Sequence, residues 1–266
     1  MLRLIVVAIL VILFLVLSLP VLAYKRWLGK RDPKRQDKMA QVIIRWIFGV
    51  LLKVAGVQLQ LEGTEHIPAD RSVLFVGNHR SYFDIVTSYT AMKQPTGYVA
   101  KAEMEKIPLL SAWMREISCL FLNRTDIKEG LKTILAAIAQ VKAGKSVFIF
   151  PEGTRNKNAA PEELLEFHEG SMKIAEKAGC PVIPVAIYGS DHIFEQQFPL
   201  IRSAKVVIRF GAPVDIKALP AEYKRRAGAY LQAEIKNMLS AIRAEHPEIS
   251  YPLPKNQAEE AEDGRA

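Results

Sequence analysis

The stretch Val73-Leu74-Phe75-Val76-Gly77, followed at once by Asn78-His79-Arg80-Ser81-Tyr82-Phe83-Asp84, holds the clearest information about the fold of this chain. A short continuous apolar run is typical of a strand covered on both faces, as in parallel sheets. The polar run then places a histidine and a carboxylate where that strand ends. His79 and Asp84 can form a hydrogen-bonded pair in which the carboxylate fixes the imidazole tautomer and stabilises the imidazolium. We therefore take His79 as a candidate general base and Asp84 as its partner.

Short apolar runs alternate with amphipathic stretches along most of the 266 residues. The pattern predicts strands at 59–62, 73–77, 97–100, 118–122, 146–150, 182–188 and 205–210. It predicts helices at 83–93, 107–116, 126–143, 170–178 and 220–245. Such alternation indicates an α/β fold with a mostly parallel sheet flanked by helices. In such sheets, sites form at the carboxyl ends of the strands.

Several cations come directly after predicted strands and are candidate substrate-binding residues. Arg124 follows 118–122, Arg155 follows 146–150, and Lys101 follows 97–100. Guanidinium groups bind phosphate with matched charge and geometry, and a lysine adds a further positive charge. The pattern thus indicates a phosphate-binding pocket beside His79.

The run Glu152-Gly153-Thr154-Arg155 supplies the other candidates. Gly153 lets a ligand approach the backbone closely, and Thr154 offers a hydroxyl. Glu152 is a candidate for orienting an arginine or for accepting a substrate hydroxyl. The sequence has no serine or cysteine in a nucleophile elbow, so we expect the nucleophile to be a substrate hydroxyl that His79 deprotonates.

The N-terminal segment is almost unbroken Leu, Ile, Val, Ala and Phe from Leu4 to Ala23. About 20 such residues can span a bilayer core, so residues 1–24 are predicted to be a membrane-anchoring helix. The cluster of Lys and Arg between residues 25 and 38 predicts that the rest of the chain lies on the cytoplasmic face. It also argues against the rival interpretation, a cleaved signal peptide. Whether the anchor crosses the bilayer or lies in one leaflet stays open.

The remaining segments complete the predicted organisation. Residues 25–58 are predicted to be a basic linker and an amphipathic helix, 59–250 a single α/β domain, and 251–266 a disordered tail. The net charge of +8 favours an anionic partner such as a membrane surface or a phosphorylated substrate. Nucleic acid is disfavoured because no recognisable binding motif is present. No Cys and His cluster has zinc spacing, so no metal is expected. Cys119 and Cys180 are interpreted as buried core thiols, and a disulfide between them stays open.

The motifs together resemble those of the glycerolipid acyltransferases, specifically the 1-acylglycerol-3-phosphate acyltransferases. Four family motifs are matched in order by Asn78, His79 and Asp84, by Phe121 and Arg124, by Phe150 to Arg155, and by Val182-Ile183-Pro184-Val185. The resemblance covers roughly residues 60–215. The first and third motifs are specific together, whereas the fourth is weak alone.

The resemblance implies acyl transfer from acyl-CoA or acyl-carrier protein, as co-substrate rather than cofactor, to the sn-2 hydroxyl of lysophosphatidic acid. His79 would deprotonate that hydroxyl, and Arg124 and Arg155 would bind the glycerol phosphate, with Glu152 positioning it or the arginines. A backbone N–H near Gly153, or Lys101, would stabilise the oxyanion. The partners implied are the phospholipid bilayer, lysophosphatidic acid and the acyl donor.

One departure from the family pattern affects the expected acceptor. Many relatives carry Phe-Lys-x-Gly after the third motif, where this chain has Phe167-His168-Glu169-Gly170. A histidine therefore replaces a cation, which keeps other acceptors open: another lysophospholipid, glycerol 3-phosphate or a lyso-aminolipid. A membrane-tethered lipid-binding module without catalysis is the alternative from a different class.

Overall fold

A computed structural model describes residues 1–223 and 225–252, and within these residues seven strands form one sheet. The strands are β1 (Gln58–Glu62), β2 (Leu74–Gly77), β3 (Thr96–Lys101), β4 (Leu120–Leu122), β5 (Ser146–Ile149), β6 (Val182–Tyr188) and β7 (Lys205–Phe210). Their order is β1-β7-β6-β2-β5-β3-β4. Every neighbouring pair is parallel except β6 and β7. The predicted mostly parallel sheet is confirmed.

Helices cover both faces of this sheet. They are α1 (Leu2–Leu17), α2 (Leu19–Gly29), α3 (Pro33–Ala55), α4 (Phe83–Ala91), α5 (Pro108–Glu116), α6 (Ile127–Lys142), α7 (Lys173–Ala178) and α8 (Ala227–Glu245). Phe75 on β2 belongs to a hydrophobic cluster with residues of α2 to α5, whereas its neighbours Leu74 and Val76 belong to a second cluster with residues of α6 to α8. Because successive strand residues point to opposite faces, the apolar run 73–76 supplies both layers of the core.

Two helix boundaries differ from the predicted ones for local reasons. The helix predicted at 220–245 begins only at Ala227, because residues 221–223 form a turn after Pro220. The helix predicted at 170–178 begins at Lys173, since residues 169–172 form a 3-10 turn. The start of α6 is as expected: the Asp126 carboxylate accepts hydrogen bonds from the backbone N–H groups of Lys128 and Glu129, which caps the helix.

The N-terminal segment folds as a bent pair of helices. Among the described residues, no single helix is long and apolar enough to cross a membrane. α1 and α2, which meet at an angle of 48°, have together the length and composition that a span requires. The anchor at 1–24 therefore stays a prediction. The segment 25–58, predicted to begin with a basic linker, is helical over most of its length. Lys25 lies in α2, and α3 begins at Pro33.

A buried ion pair joins these helices to the sheet domain. The ammonium of Lys25 lies 2.9 Å from Oε2 of Glu116, at the end of α5, and the Lys25 side chain is fully buried. Gln36 in α3 donates to the same carboxylate oxygen over 2.8 Å. The helices at 1–55 are thus packed against the domain rather than tethered to it by a loose linker.

The C-terminal tail and the cysteines complete the comparison with the predicted organisation. Residues 253–266 of the predicted tail lie outside the described residues. Tyr251, the first tail residue, differs from the prediction because it is buried, with its hydroxyl donating to Asp191. Cys119 is buried and Cys180 is half-buried, and both are free thiols.

Candidate active site

His79 and Asp84 meet where β2 ends and α4 begins. Nδ1 of His79 lies 2.8 Å from Oδ2 of Asp84. The Asp84 side chain is buried, so its charge acts on the imidazole with little screening by water. The imidazole also stacks on the ring of Phe150, with centroids 4.3 Å apart. With Nδ1–H donating to Asp84, Nε2 keeps its lone pair and is the atom able to take a proton.

Asp84 is held by three donors besides His79. Its Oδ2 accepts from the backbone N–H groups of Arg80 and Ser81 over 2.7 and 2.8 Å. Its Oδ1 accepts from the hydroxyl of Ser190, which lies in the turn after β6. These bonds fix the position of the carboxylate. Sequence reasoning missed Ser190, although the rule that selected His79, a polar residue following a buried strand, also applies to it.

Asn78 has a structural role that the sequence did not reveal. Its amide donates to the carbonyl of Ile187 over 2.9 Å and accepts from the N–H of the same residue over 2.8 Å. The side chain therefore continues the pairing of β2 with β6 beyond the last strand residue. This bond sets the distance between the turns that carry His79 and Ser190.

Glu152 is buried, and both of its carboxylate oxygens accept hydrogen bonds from backbone N–H groups. Its Oε1 accepts from the N–H of His79 over 2.7 Å, and its Oε2 accepts from the N–H of Leu165 over 2.9 Å. Burial raises the pKa of the Glu152 carboxyl, and these two hydrogen bonds oppose that shift. The structure thus places Glu152 as a brace for the loop of His79, and no arginine is among its hydrogen-bond partners in the described part of the chain.

Gly153 and Thr154 form the turn that follows β5. Gly153 has φ of +74°, a conformation that favours glycine. Its N–H donates to the carbonyl of Phe150 over 3.0 Å and is therefore committed within the turn rather than open to an oxyanion. A β-carbon at this position would lie 3.0 Å from Nε2 of His168. Thr154 is exposed at the rim of the site.

Two of the three predicted cations are paired with nearby carboxylates. Nη1 of Arg155 lies 3.0 Å from Oε1 of Glu195, and its guanidinium lies 3.8 Å above the ring of Tyr82. Lys101 pairs with Glu103 over 3.1 Å at an exposed position. Both cations therefore already have a carboxylate partner, and the side chain of Lys101 is largely exposed to solvent.

The third cation, Arg124, lines a cavity of about 260 Å³ beside the turn of Gly153. Desolvation lowers the pKa of its guanidinium and the charge of Glu103 opposes the shift, but an arginine remains protonated at neutral pH. The other walls are largely apolar and include Val99, Leu122, Ile127, Ile134, Ile149 and Phe150. Because Phe150 both lines this cavity and stacks on His79, the cavity adjoins the dyad.

A possible metal-binding group lies elsewhere in the described residues. Glu62, Glu245 and His246 come close enough together to hold an ion. Arg209 forms ion pairs with both carboxylates and so already offsets part of their negative charge.

Comparison with known proteins agrees with this geometry. A family model described as Acyltransferase matches residues 58–188. A 1-acyl-sn-glycerol-3-phosphate acyltransferase of Borreliella burgdorferi is 26% identical over 206 residues, covering 77% of this chain and 81% of that protein. A chloroplastic enzyme of the same name from Brassica napus is 33% identical over 134 residues, which are 50% of this chain and 38% of that protein.

A solved structure extends the match to almost the whole chain. The crystal structure of the 1-acyl-sn-glycerophosphate acyltransferase PlsC from Thermotoga maritima superposes with a TM-score of 0.78 at 26% identity, covering 91% of this chain and 95% of that one. The fold, the order of the motifs and the dyad at the exit of β2 are explained together by common descent with these enzymes. Residues 58–188 of this chain therefore form an acyltransferase domain, and the chain resembles the PlsC-like glycerolipid acyltransferases along most of its length.

Proposed function

We propose that this acyltransferase moves a fatty acyl group from acyl-CoA or acyl-carrier protein to the sn-2 hydroxyl of lysophosphatidic acid, giving phosphatidic acid. The observation that carries the proposal is the His79–Asp84 pair, 2.8 Å apart, beside a largely apolar cavity with an arginine in its wall. A general base, room for an acyl chain and a cation for phosphate are the three elements that this reaction requires. The names of the matched relatives agree with this acceptor.

His79 performs the proton transfer in this proposal. Its Nε2 accepts the proton of the acceptor hydroxyl while the oxygen attacks the thioester carbonyl. The imidazolium then returns a proton to the departing thiolate as the tetrahedral intermediate collapses, so no acyl-enzyme forms. Asp84 stabilises the imidazolium in both steps because its carboxylate keeps its hydrogen bond to Nδ1–H.

We also propose that the N-terminal helices hold the enzyme at the cytoplasmic surface of a bilayer, where the lipid substrate and product reside. Large apolar side chains of α1 are exposed, among them Leu2, Ile5, Ile9, Ile12, Leu13, Val16 and Leu17. Trp27 and Trp46 are exposed as well, and such indole rings favour the membrane interface. An apolar surface of this kind is best covered by lipid.

The test is acyl transfer by the purified, membrane-reconstituted protein from a labelled acyl thioester to lysophosphatidic acid. His79→Ala is the test variant, and His66→Ala is the matched control, since His66 contacts the backbone of Phe210 rather than the site. Loss of a general base lowers kcat by a factor of roughly 100 or more. We expect that loss in His79→Ala and near-wild-type turnover in the control.

Parallel assays with other acceptors locate the substrate. Lysophosphatidic acid is compared with a second lysophospholipid, glycerol 3-phosphate and a lyso-aminolipid at saturating donor. Product with only one of the other acceptors would support the same mechanism and identify that acceptor as the substrate. If His79→Ala binds lipid normally and wild type transfers nothing to any acceptor, the binding module replaces the enzyme as the better account.

A further inference from the structure

The side chains of Arg124 and His168 both approach the same point beside Gly153. Nε2 of His168 is 3.0 Å and Nη1 of Arg124 is 3.8 Å from the position that a β-carbon on Gly153 would occupy. These two distances keep the nitrogen atoms within about 6.8 Å of each other. Two donors at such a separation can bind different oxygens of one phosphate, because each hydrogen bond spans about 2.9 Å.

Both side chains are open, unlike the other cations at the site. Throughout residues 1–223 and 225–252, no hydrogen bond or ion pair involves the side chain of either Arg124 or His168. Arg155 and Lys101, in contrast, each have a carboxylate partner. Glu169, the carboxylate next to His168 in sequence, instead accepts from the backbone N–H groups that begin α8. The two donors are therefore free for an incoming anion.

The backbone holds His168 against the turn that it faces. Its N–H donates to the carbonyl of Pro151 over 3.0 Å, and the preceding residue, Phe167, is buried. Both His168 and Arg124 line the cavity of about 260 Å³ that adjoins the dyad. A phosphate between them would lie at the polar part of the cavity wall.

We propose that Arg124 and His168 together bind a phosphate ester of the substrate, with His168 as a specificity-determining residue. The proposal rests on the proposed acyl transfer and deepens it. The phosphate belongs either to the acceptor or to the acyl donor, since both carry this group. The shared chemistry is a phosphate oxygen accepting one bond from a permanent cation and one from an imidazole N–H.

Kinetics of His168→Ala and Arg124→Ala test the assignment and identify the substrate concerned. KM is measured for lysophosphatidic acid, for a monoacylglycerol of equal chain length that lacks the phosphate, and for acyl-CoA. Loss of one hydrogen bond to a charged phosphate raises KM roughly 10-fold or more. We expect that rise for one phosphorylated substrate, with kcat within about twofold and the phosphate-free acceptor unaffected. His168→Lys, which restores a permanent cation, should bring KM back to the wild-type value or below.

Lys128→Ala is the matched control, because it removes an exposed cation of α6 that does not line the cavity. A raised KM for lysophosphatidic acid assigns the acceptor phosphate to the pair, and a raised KM for acyl-CoA assigns the donor phosphate. The proposal is overturned if neither KM changes more than twofold in either variant, or if KM for the phosphate-free acceptor rises equally.

A binding measurement tests phosphate binding by Arg124 and His168 independently of acyl transfer. The imidazole NMR signals of His168, identified by their loss in His168→Ala, are followed while glycerol 3-phosphate or inorganic phosphate is added. Saturable shifts in wild type that are weakened in Arg124→Ala support the pair even if acyl transfer is absent. Unchanged signals up to tens of millimolar phosphate, with acyl transfer present, would reject the pair and leave the proposed reaction standing.

Discussion

Asp84→Asn isolates the charge of the dyad from its shape. In wild type, Oδ2 accepts three hydrogen bonds and Oδ1 accepts one from Ser190. An asparagine with its carbonyl in the place of Oδ2 keeps all three, including the bond from Nδ1–H of His79. Its NH2 group then faces the Ser190 hydroxyl, which can rotate and accept. The variant should therefore fold and keep the imidazole in its orientation.

What Asp84→Asn removes is the attraction between the carboxylate and the imidazolium that forms in the transition state. Two unit charges 2.8 Å apart interact by about 6 kcal/mol at an effective dielectric constant of ~20. The amide dipole recovers part of this. A net loss of about 3–5 kcal/mol corresponds to a decrease in kcat of roughly 10²- to 10⁴-fold. We expect a decrease in that range, with KM for both substrates little changed.

The assay is kcat at saturating donor and acceptor, together with a thermal melt to confirm folding. The double variant His79→Ala/Asp84→Asn should be no slower than His79→Ala alone within about threefold, because Asp84 acts through the imidazole. A kcat for Asp84→Asn within tenfold of wild type would show that the charge is not needed. Multiplicative losses in the double variant would show that Asp84 acts on the reaction by some route other than His79.

Three further substitutions probe the surrounding structure. Glu152→Gln leaves one buried backbone N–H without an acceptor, so urea unfolding should show a decrease of about 1–3 kcal/mol in the free energy of unfolding. The kcat of this variant should fall, while its KM for the acceptor stays unchanged. Burial raises the pKa of Glu152, so the folded protein binds this proton more tightly than the unfolded chain does. The free energy of unfolding of the wild type should therefore fall as pH rises from 4.5 through that raised pKa. The difference in unfolding free energy between the wild type and Glu152→Gln should shrink over the same pH range. Lys25→Met leaves the carboxylate of Glu116 buried without its cation, so we expect the free energy of unfolding to fall by about 3–5 kcal/mol. The decrease should be smaller in the double variant Lys25→Met/Glu116→Leu, which removes the carboxylate as well. Gly153→Ala should lower the free energy of unfolding by about 1–3 kcal/mol. It should also raise KM for the phosphorylated substrate, since its β-carbon displaces His168. An unchanged melting temperature and an unchanged KM would contradict the positions of Gly153 and His168.

The sequence predicted the sheet because each buried strand is a continuous apolar run with polar residues at its carboxyl end. The dyad followed from the same pattern, since His79 and Asp84 are separated by only one turn. The partners of the predicted cations did not follow. Arg155 pairs with Glu195, forty positions later, and no periodicity in a single sequence links two residues on different turns.

The N-terminal helices α1 to α3 show a second limit of sequence reasoning. A lysine directly after an apolar segment suggests a solvated flank, and the cluster between residues 25 and 38 predicts a basic linker. The structure instead buries Lys25 against Glu116, because α2 and α3 pack on α5 in a way that only the tertiary fold specifies. A charged residue can be buried at acceptable cost when its partner is fixed, but hydropathy alone does not identify that partner.

The first and third motifs form one physical unit around His79. The N–H of His79 donates to Glu152, its carbonyl accepts from the N–H of Asn156 over 2.6 Å, and its ring lies on Phe150. Residues 150–156 thus hold the backbone and the ring of His79, while Asp84 accepts the hydrogen bond from its Nδ1–H. The run contains the cation and the glycine expected of a phosphate site, yet Phe150, Glu152 and Asn156 all contact His79. In the proposed reaction the third motif would therefore orient the base, while Arg124 and His168, which lie outside that motif, would bind the phosphate.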